Sequence, residues 1–116
     1  MPMFSVETNV KLDDEENSSA HITTALSKAV AEMLGKPEQY VMVNLKMAQD
    51  LCFAGSHAPA AYAQLKSLGL PENKTAAYSA TLCELIHREL GVPPERIYIE
   101  FSSPERHMWG WNNSTF

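Results

Sequence analysis

Leu34-Gly35-Lys36-Pro37-Glu38-Gln39-Tyr40-Val41-Met42-Val43 and Leu90-Gly91-Val92-Pro93-Pro94-Glu95-Arg96-Ile97-Tyr98-Ile99 are two stretches of one 116-residue chain that rhyme. In each, a glycine ends a helix by taking the left-handed conformation, a proline prevents the helix from continuing, and a β-branched run begins. Ahead of the first lies a helical stripe of Ile22, Leu26, Ala29, Val30, Met33 and Leu34, preceded by Asp13, Asp14, Glu15 and Glu16, where a helix dipole favours anions. Ahead of the second, Tyr78, Leu82, Leu85, Ile86 and Leu90 repeat the stripe after Pro71-Glu72-Asn73. Extended segments precede both helices, Met3 to Val10 and Ala60 to Leu68, so the order is strand, helix, strand, twice over. A duplicated βαβ unit of about 55 residues follows.

The expectation is an α/β (α+β) chain: a four-stranded mixed sheet with two helices on one face, since right-handed crossovers place both on the same side. One domain spans residues 1–116, with pseudo-repeats at about 1–46 and 58–103. The connection from about Lys46 to Pro59 is turn-rich, and the segment after Phe101 reads as a short tail. One strand parity, Phe4, Val6, Val41, Val43, Ala61, Ala63, Leu65, Ile97, Ile99 and Phe101, suits packing under the helices. The other, Ser5, Glu7, Met42, Asn44, Tyr62, Gln64, Lys66, Tyr98 and Glu100, is too polar for a core and too aromatic for plain surface. Such a face meets another subunit or lines a wet interior. The sheet also leaves two edges for neighbouring strands to cover. A ring-like homo-oligomer is expected.

Composition narrows the partners. A formal charge of −5, with nine basic residues that form no run, argues against nucleic acid. The apolar stretches are short and interrupted, and the N-terminus has neither the basic nor the long apolar region of a signal peptide. A soluble, cytoplasmic chain without membrane insertion is expected. Cys52 and Cys83, each flanked by apolar residues, read as reduced core thiols. His21, His57, His87 and His107 have no metal-ligand spacing, so no structural metal is expected. Sequons at Asn17, Asn73, Asn112 and Asn113 carry no weight without a secretory route.

Met1-Pro2 adds a chemical option. A methionine aminopeptidase accepts proline in second position, and the product would expose a prolyl secondary amine. Burial lowers an amine's pKa by disfavouring the cation, which would leave a base near neutral pH. Read from the residues alone, Lys36 is a solvated lysine just past a helix end, favoured by the dipole, and the tryptophans are core or subunit contacts.

Met1-Pro2-Met3-Phe4 with Thr8-Asn9-Val10, Gly35-Lys36-Pro37 with Tyr40, Phe53-Ala54-Gly55-Ser56, Ser67-Leu68-Gly69, Arg96-Ile97-Tyr98-Ile99 and Gly110-Trp111-Asn112-Asn113-Ser114-Thr115-Phe116 carry a resemblance over nearly the whole chain. The chain resembles the macrophage migration inhibitory factor family, with D-dopachrome tautomerase, in the tautomerase superfamily. The resemblance implies a homotrimer of duplicated βαβ chains and an isomerase that needs no cofactor. Keto and enol forms of aromatic α-keto acids, phenylpyruvate- or dopachrome-like, would interconvert with Pro2 as general base. By position, Lys36 would pair with the substrate carboxylate and the Leu68 backbone N–H would donate to it. Met3, Tyr40, Tyr98, Trp109, Trp111 and Phe116 would wall an aromatic pocket at a subunit boundary, with Tyr98 supplied by the neighbour. The same resemblance implies a second reading: a non-enzymatic, cytokine-like protein that binds a cell-surface immune receptor, its pocket vestigial. Unconventional export in the family would reconcile that role with a cytoplasmic chain.

Three departures bear on these expectations. Glu100 stands where relatives commonly carry a substrate-binding asparagine; ionised, it would favour the prolyl cation and oppose anionic substrates, unless it points to the central wet surface and pairs with Arg96, Lys66 or Lys46. Ala60-Ala61-Tyr62-Ala63 replaces the mammalian Cys-x-x-Cys, so thiol-oxidoreductase activity should be absent. Gly69-Leu70-Pro71-Glu72-Asn73-Lys74 is one residue short, which bears on where the Leu68 amide sits.

Overall fold

A computed structural model describes residues 1–12 and 18–116, the side chain of Ser18 excepted. The acidic run Asp13 to Glu16 and the sequon at Asn17 lie outside the described residues. Strand β1 (Met3–Thr8), helix α1 (Ser18–Leu34) and strand β2 (Met42–Lys46) form the first half. Strand β3 (Ala61–Lys66), helix α2 (Thr75–Leu90) and strand β4 (Ile97–Ser102) form the second. The sheet order is β2-β1-β3-β4. Within each half the strands are parallel, and the halves join along an antiparallel seam between β1 and β3. This is the expected mixed sheet built from two βαβ units.

Both helical stripes lie on the sheet's apolar face. Ile22, Leu26 and Val30 of α1 and Tyr78, Leu82, Leu85, Ile86 and Leu90 of α2 share one buried cluster with Phe4, Val6, Ala61, Ala63, Leu65 and Ile97. Each fully buried Val, Leu, Ile or Phe contributes about 1.5–3 kcal/mol of transfer free energy, so this layer dominates the stability of the fold. The opposite parity stays open: Met42, Tyr62 and Tyr98 are among the exposed large apolar side chains.

Both ends of β3 and the end of β1 differ from the sequence expectation, and hydrogen bonding explains the last of these. β1 stops at Thr8, whose buried hydroxyl donates to the Ala60 carbonyl (2.7 Å) and accepts from the Val10 N–H (3.2 Å), replacing the ladder with a local turn. β3 ends at Lys66 rather than Leu68. The tail is more structured than expected. Gly110–Trp111 (β5) and Ser114–Thr115 (β6) pair as an antiparallel hairpin. Its two-residue turn, Asn112-Asn113, has φ values of 50° and 67°, the left-handed conformation that asparagine tolerates best after glycine. Cys52 also departs from expectation. It is exposed in the irregular connection between β2 and β3, which has no repeating buried face, while Cys83 on α2 is half-buried; both are free.

Candidate active site

Helix α1 is closed by a paired cap. Gly35 takes φ +64°, its N–H donates to the Glu32 carbonyl (3.3 Å), and the next N–H, of Lys36, donates to the Ala31 carbonyl (3.0 Å). The cap turns the chain so that Lys36 leaves toward the sheet. Its ammonium donates to the Leu68 carbonyl at 2.6 Å, a short charge-assisted bond across the two halves. Leu68 therefore meets Lys36 through its carbonyl, whereas the sequence reading assigned it an N–H donor role toward substrate.

Pro2 sits at the head of β1 and is fully buried. Its carbonyl accepts from the Met42 N–H (3.0 Å), which carries the β1–β2 ladder one step further. Met1 precedes it here, so the Pro2 nitrogen is an amide. The terminal amine just ahead reports the electrostatics of this corner: the Met1 amino group is lowered from 8.0 to about 6. Burial is the largest cause, followed by the charge and hydrogen bonding of Lys36 and then by the charge of Arg106. Arg106 was missed in the sequence, although a cation just ahead of an aromatic tail is a readable signal.

The aromatic residues form two adjoining groups. Tyr40 meets Trp111 edge-on, with ring centroids 5.8 Å apart, and Trp111 stacks on Phe116 at 5.5 Å. The β5–β6 hairpin makes that stack possible, since the Phe116 N–H returns to the Trp109 carbonyl (3.2 Å). Met3 and Trp109 line an open recess of about 420 Å³ together with Lys66, Pro104, Met108 and Gly110. Pro2, Met3, Lys36, Tyr40, Leu68, Trp109, Trp111 and Phe116 thus belong to the end of the molecule where β1 begins and β3 finishes.

Tyr98 and Glu100 do not. Tyr98 pairs with Tyr62, which lies opposite Glu7, whereas Met3 lies opposite Lys66. Four residues of strand separate these register levels, about 13 Å. Glu100 is exposed and accepts from the Tyr62 hydroxyl (2.8 Å) and the Gln64 amide (2.9 Å). These bonds, Gln64 first, hold its carboxyl below the ordinary range, with help from the charge of Lys66. Of the three expected partners, Arg96 instead donates to backbone carbonyls and Lys46 approaches Glu7 at 3.8 Å. The Glu100 bonds push the Tyr62 hydroxyl upward. Among the described residues no group of three or more His, Cys, Asp or Glu side chains could hold a metal ion, and no helix is long and apolar enough to cross a membrane.

Residues 1–116 match the family model described as macrophage migration inhibitory factor. A homologue of that factor from Trichuris trichiura is 41% identical over 117 residues and is covered 100%, as is this chain. The solved structure of the factor from Trichinella spiralis superposes with a TM-score of 0.88 at 34% identity, covering 98% of this chain and 99% of that one. A homologue from Prochlorococcus marinus superposes equally well, 0.88 at 37% identity over 98% of each chain.

Proposed function

The chain belongs to the macrophage migration inhibitory factor family, and from that premise we propose that it is a keto-enol tautomerase of phenylpyruvate- or dopachrome-like α-keto acids, with Pro2 as the general base. The observation that carries this reading is the corner at Pro2: Pro2 is buried, and the Met1 amine beside it is lowered to about 6 by burial and by Lys36. Once Met1 is removed, the prolyl nitrogen becomes an amine exposed to the same causes, which lower its pKa and favour the free base.

The chemistry follows from the positions. The prolyl nitrogen takes the proton from the carbon beside the keto group, and the electron pair moves onto the keto oxygen as an enolate. The prolyl cation then delivers the proton to the enolate oxygen, which gives the enol and restores the free amine. Lys36 exchanges its bond to the Leu68 carbonyl for one to the substrate carboxylate, which fixes the reacting carbon against the base. The Tyr40, Trp111 and Phe116 rings and the recess at Met3 and Trp109 take the aromatic end. No cofactor is needed for this proton transfer. The active unit is a homotrimer in which a neighbouring copy supplies Tyr98 and Glu100, since one chain holds both well away from its own Pro2. The chain works in the cytoplasm and leaves by an unconventional route.

Phenylpyruvate and dopachrome methyl ester turnover tests the reading, with loss of Met1 first verified by intact mass. Pro2→Gly should lower kcat/KM by about 10²–10⁴-fold. Absence of turnover in the processed parent, or an unchanged rate in the variant, refutes it. Glu100 favours a second reading. An ionised carboxylate in the substrate face repels anionic substrates, which suits a cytokine-like protein that binds host immune receptors. Saturable receptor binding that survives Pro2→Gly is the expected result there, and no binding at micromolar concentration excludes it.

A further inference from the structure

The connection between the two halves has no regular structure around residues 53–60, yet side chains take most of its carbonyls. Phe53 and Ser56 pair through both backbone bonds, N–H to carbonyl at 2.9 and 3.0 Å, around Ala54 and Gly55 at φ 53° and 72°. Asn9 donates to the carbonyls of His57 and Ala58 (3.1 Å each) and accepts from the Ala60 N–H (2.9 Å). Arg96 does the rest. Its guanidinium donates to the carbonyls of Pro59 (2.8 Å), Phe53 (3.1 Å), Ser56 (3.1 Å) and Ala58 (3.0 Å) and lies 5.1 Å from the centroid of the Phe53 ring. A rigid planar fork suits this: several carbonyls are met from one plane while the face rests on an aromatic ring.

The Phe53 ring faces outward to Tyr98. Their centroids are 4.8 Å apart at 62°, an edge-on contact, and Tyr98 is 66% exposed on the open sheet face with that contact in place. An exposed tyrosine on an edge strand samples several rotamers unless a neighbour selects one. Phe53 is that neighbour, and Arg96 is what holds Phe53.

We propose that Arg96 is a positioning residue: by clamping the Phe53–Ser56 turn and resting on the Phe53 ring, it sets the orientation in which Tyr98 is presented to the substrate held at another copy's Pro2. This rests on the reading above only for what Tyr98 touches; the order imposed on its ring stands on the single chain. Lysine cannot replace arginine here, because a point charge on a flexible stem neither spans four carbonyls nor stacks.

Two measurements separate the parts. With 3-fluorotyrosine incorporated and the Tyr98 resonance assigned by Tyr98→Phe, the parent should give one narrow fluorine line for Tyr98. Arg96→Lys and Phe53→Leu should each shift and broaden it, with the lines of Tyr40 and Tyr78 unmoved. An unchanged Tyr98 line in either folded variant overturns the proposal, and Phe53→Leu decides it alone if Arg96→Lys does not fold. In the turnover assay both variants should raise KM by about three- to tenfold, the size of one lost aromatic contact, with kcat nearly unchanged and no further effect when combined with Tyr98→Ala. A moved fluorine line with an unmoved KM overturns the link to substrate. A parent without turnover fails the tautomerase reading instead, and leaves the fluorine result to decide whether Arg96 orders Tyr98.

Discussion

The two halves of the molecule make the same corner twice and use it differently. Pro2 precedes β1 and Ala60 precedes β3, both buried. After each helix the chain turns on a left-handed glycine, Gly35 or Gly91. The next residue is Lys36 in the first half, reaching the Leu68 carbonyl, and Val92 in the second, fully buried in the core. Where Tyr40 meets the tail hairpin, its counterpart Arg96 grips the connection. Even the caps differ: α1 closes with two backbone bonds, whereas at α2 the Gly91 N–H donates to the His87 carbonyl (2.8 Å). The second corner is sealed by Thr8 and Asn9 bonding to residues 57–60, and the first is left for a cation. The two halves share a backbone frame, and side chains reaching in from distant segments make the two corners chemically different.

The sharpest way to break this contrast is to exchange the residues after the two glycines. Val92→Lys puts an unpaired cation into the core and should cost about 3 kcal/mol or more, read from denaturant unfolding. A loss under about 1 kcal/mol would mean that the second corner can host a charge after all. The reverse exchange, Lys36→Val, should leave the fold intact while kcat/KM for phenylpyruvate falls about ten- to a hundredfold, the worth of one charge-assisted bond.

The same exchange carries a pH signature. Burial and Lys36 both lower the Met1 amine, to about 6, and the prolyl amine left once Met1 is removed meets the same two causes, so its free base should form below the ordinary amine range. Turnover should climb below that range in the parent, and in Lys36→Val the climb should move to higher pH, since one cause of the depression is gone. A midpoint that stays in place would show that Lys36 does not act on the base. The smallest effect tests what the halves share. Gly35→Ala and Gly91→Ala should each cost about 1 kcal/mol, because an added Cβ meets nothing within 4 Å and only the positive φ is penalised. Clearly unequal costs would show that the two caps contribute differently.

Reading the chain alone went far because its signals are local. Glycine-proline endings, helical stripes and alternating strands are written within short windows, and packing agreed with them nearly residue by residue, from Phe4 and Leu26 to Leu82 and Leu65. Pro2 could be singled out in advance as a potential terminal amine, whereas Lys36 and the aromatic tail gained site roles only through the resemblance to the family. What stayed out of reach was long-range. Strand register, set by the antiparallel seam, separates Tyr98 from its own chain's Pro2, and strand order places β3 between Glu100 and β1. That the Leu68 carbonyl would accept from Lys36 depends on how the chain leaves β3. Arg106 and Arg96 draw their roles from segments far along the chain, one beside the first residue and the other across the connection. Local periodicity determines which elements form and which face each one buries; only the closing of the sheet, which sums weak contacts between distant segments, decides which side chains meet.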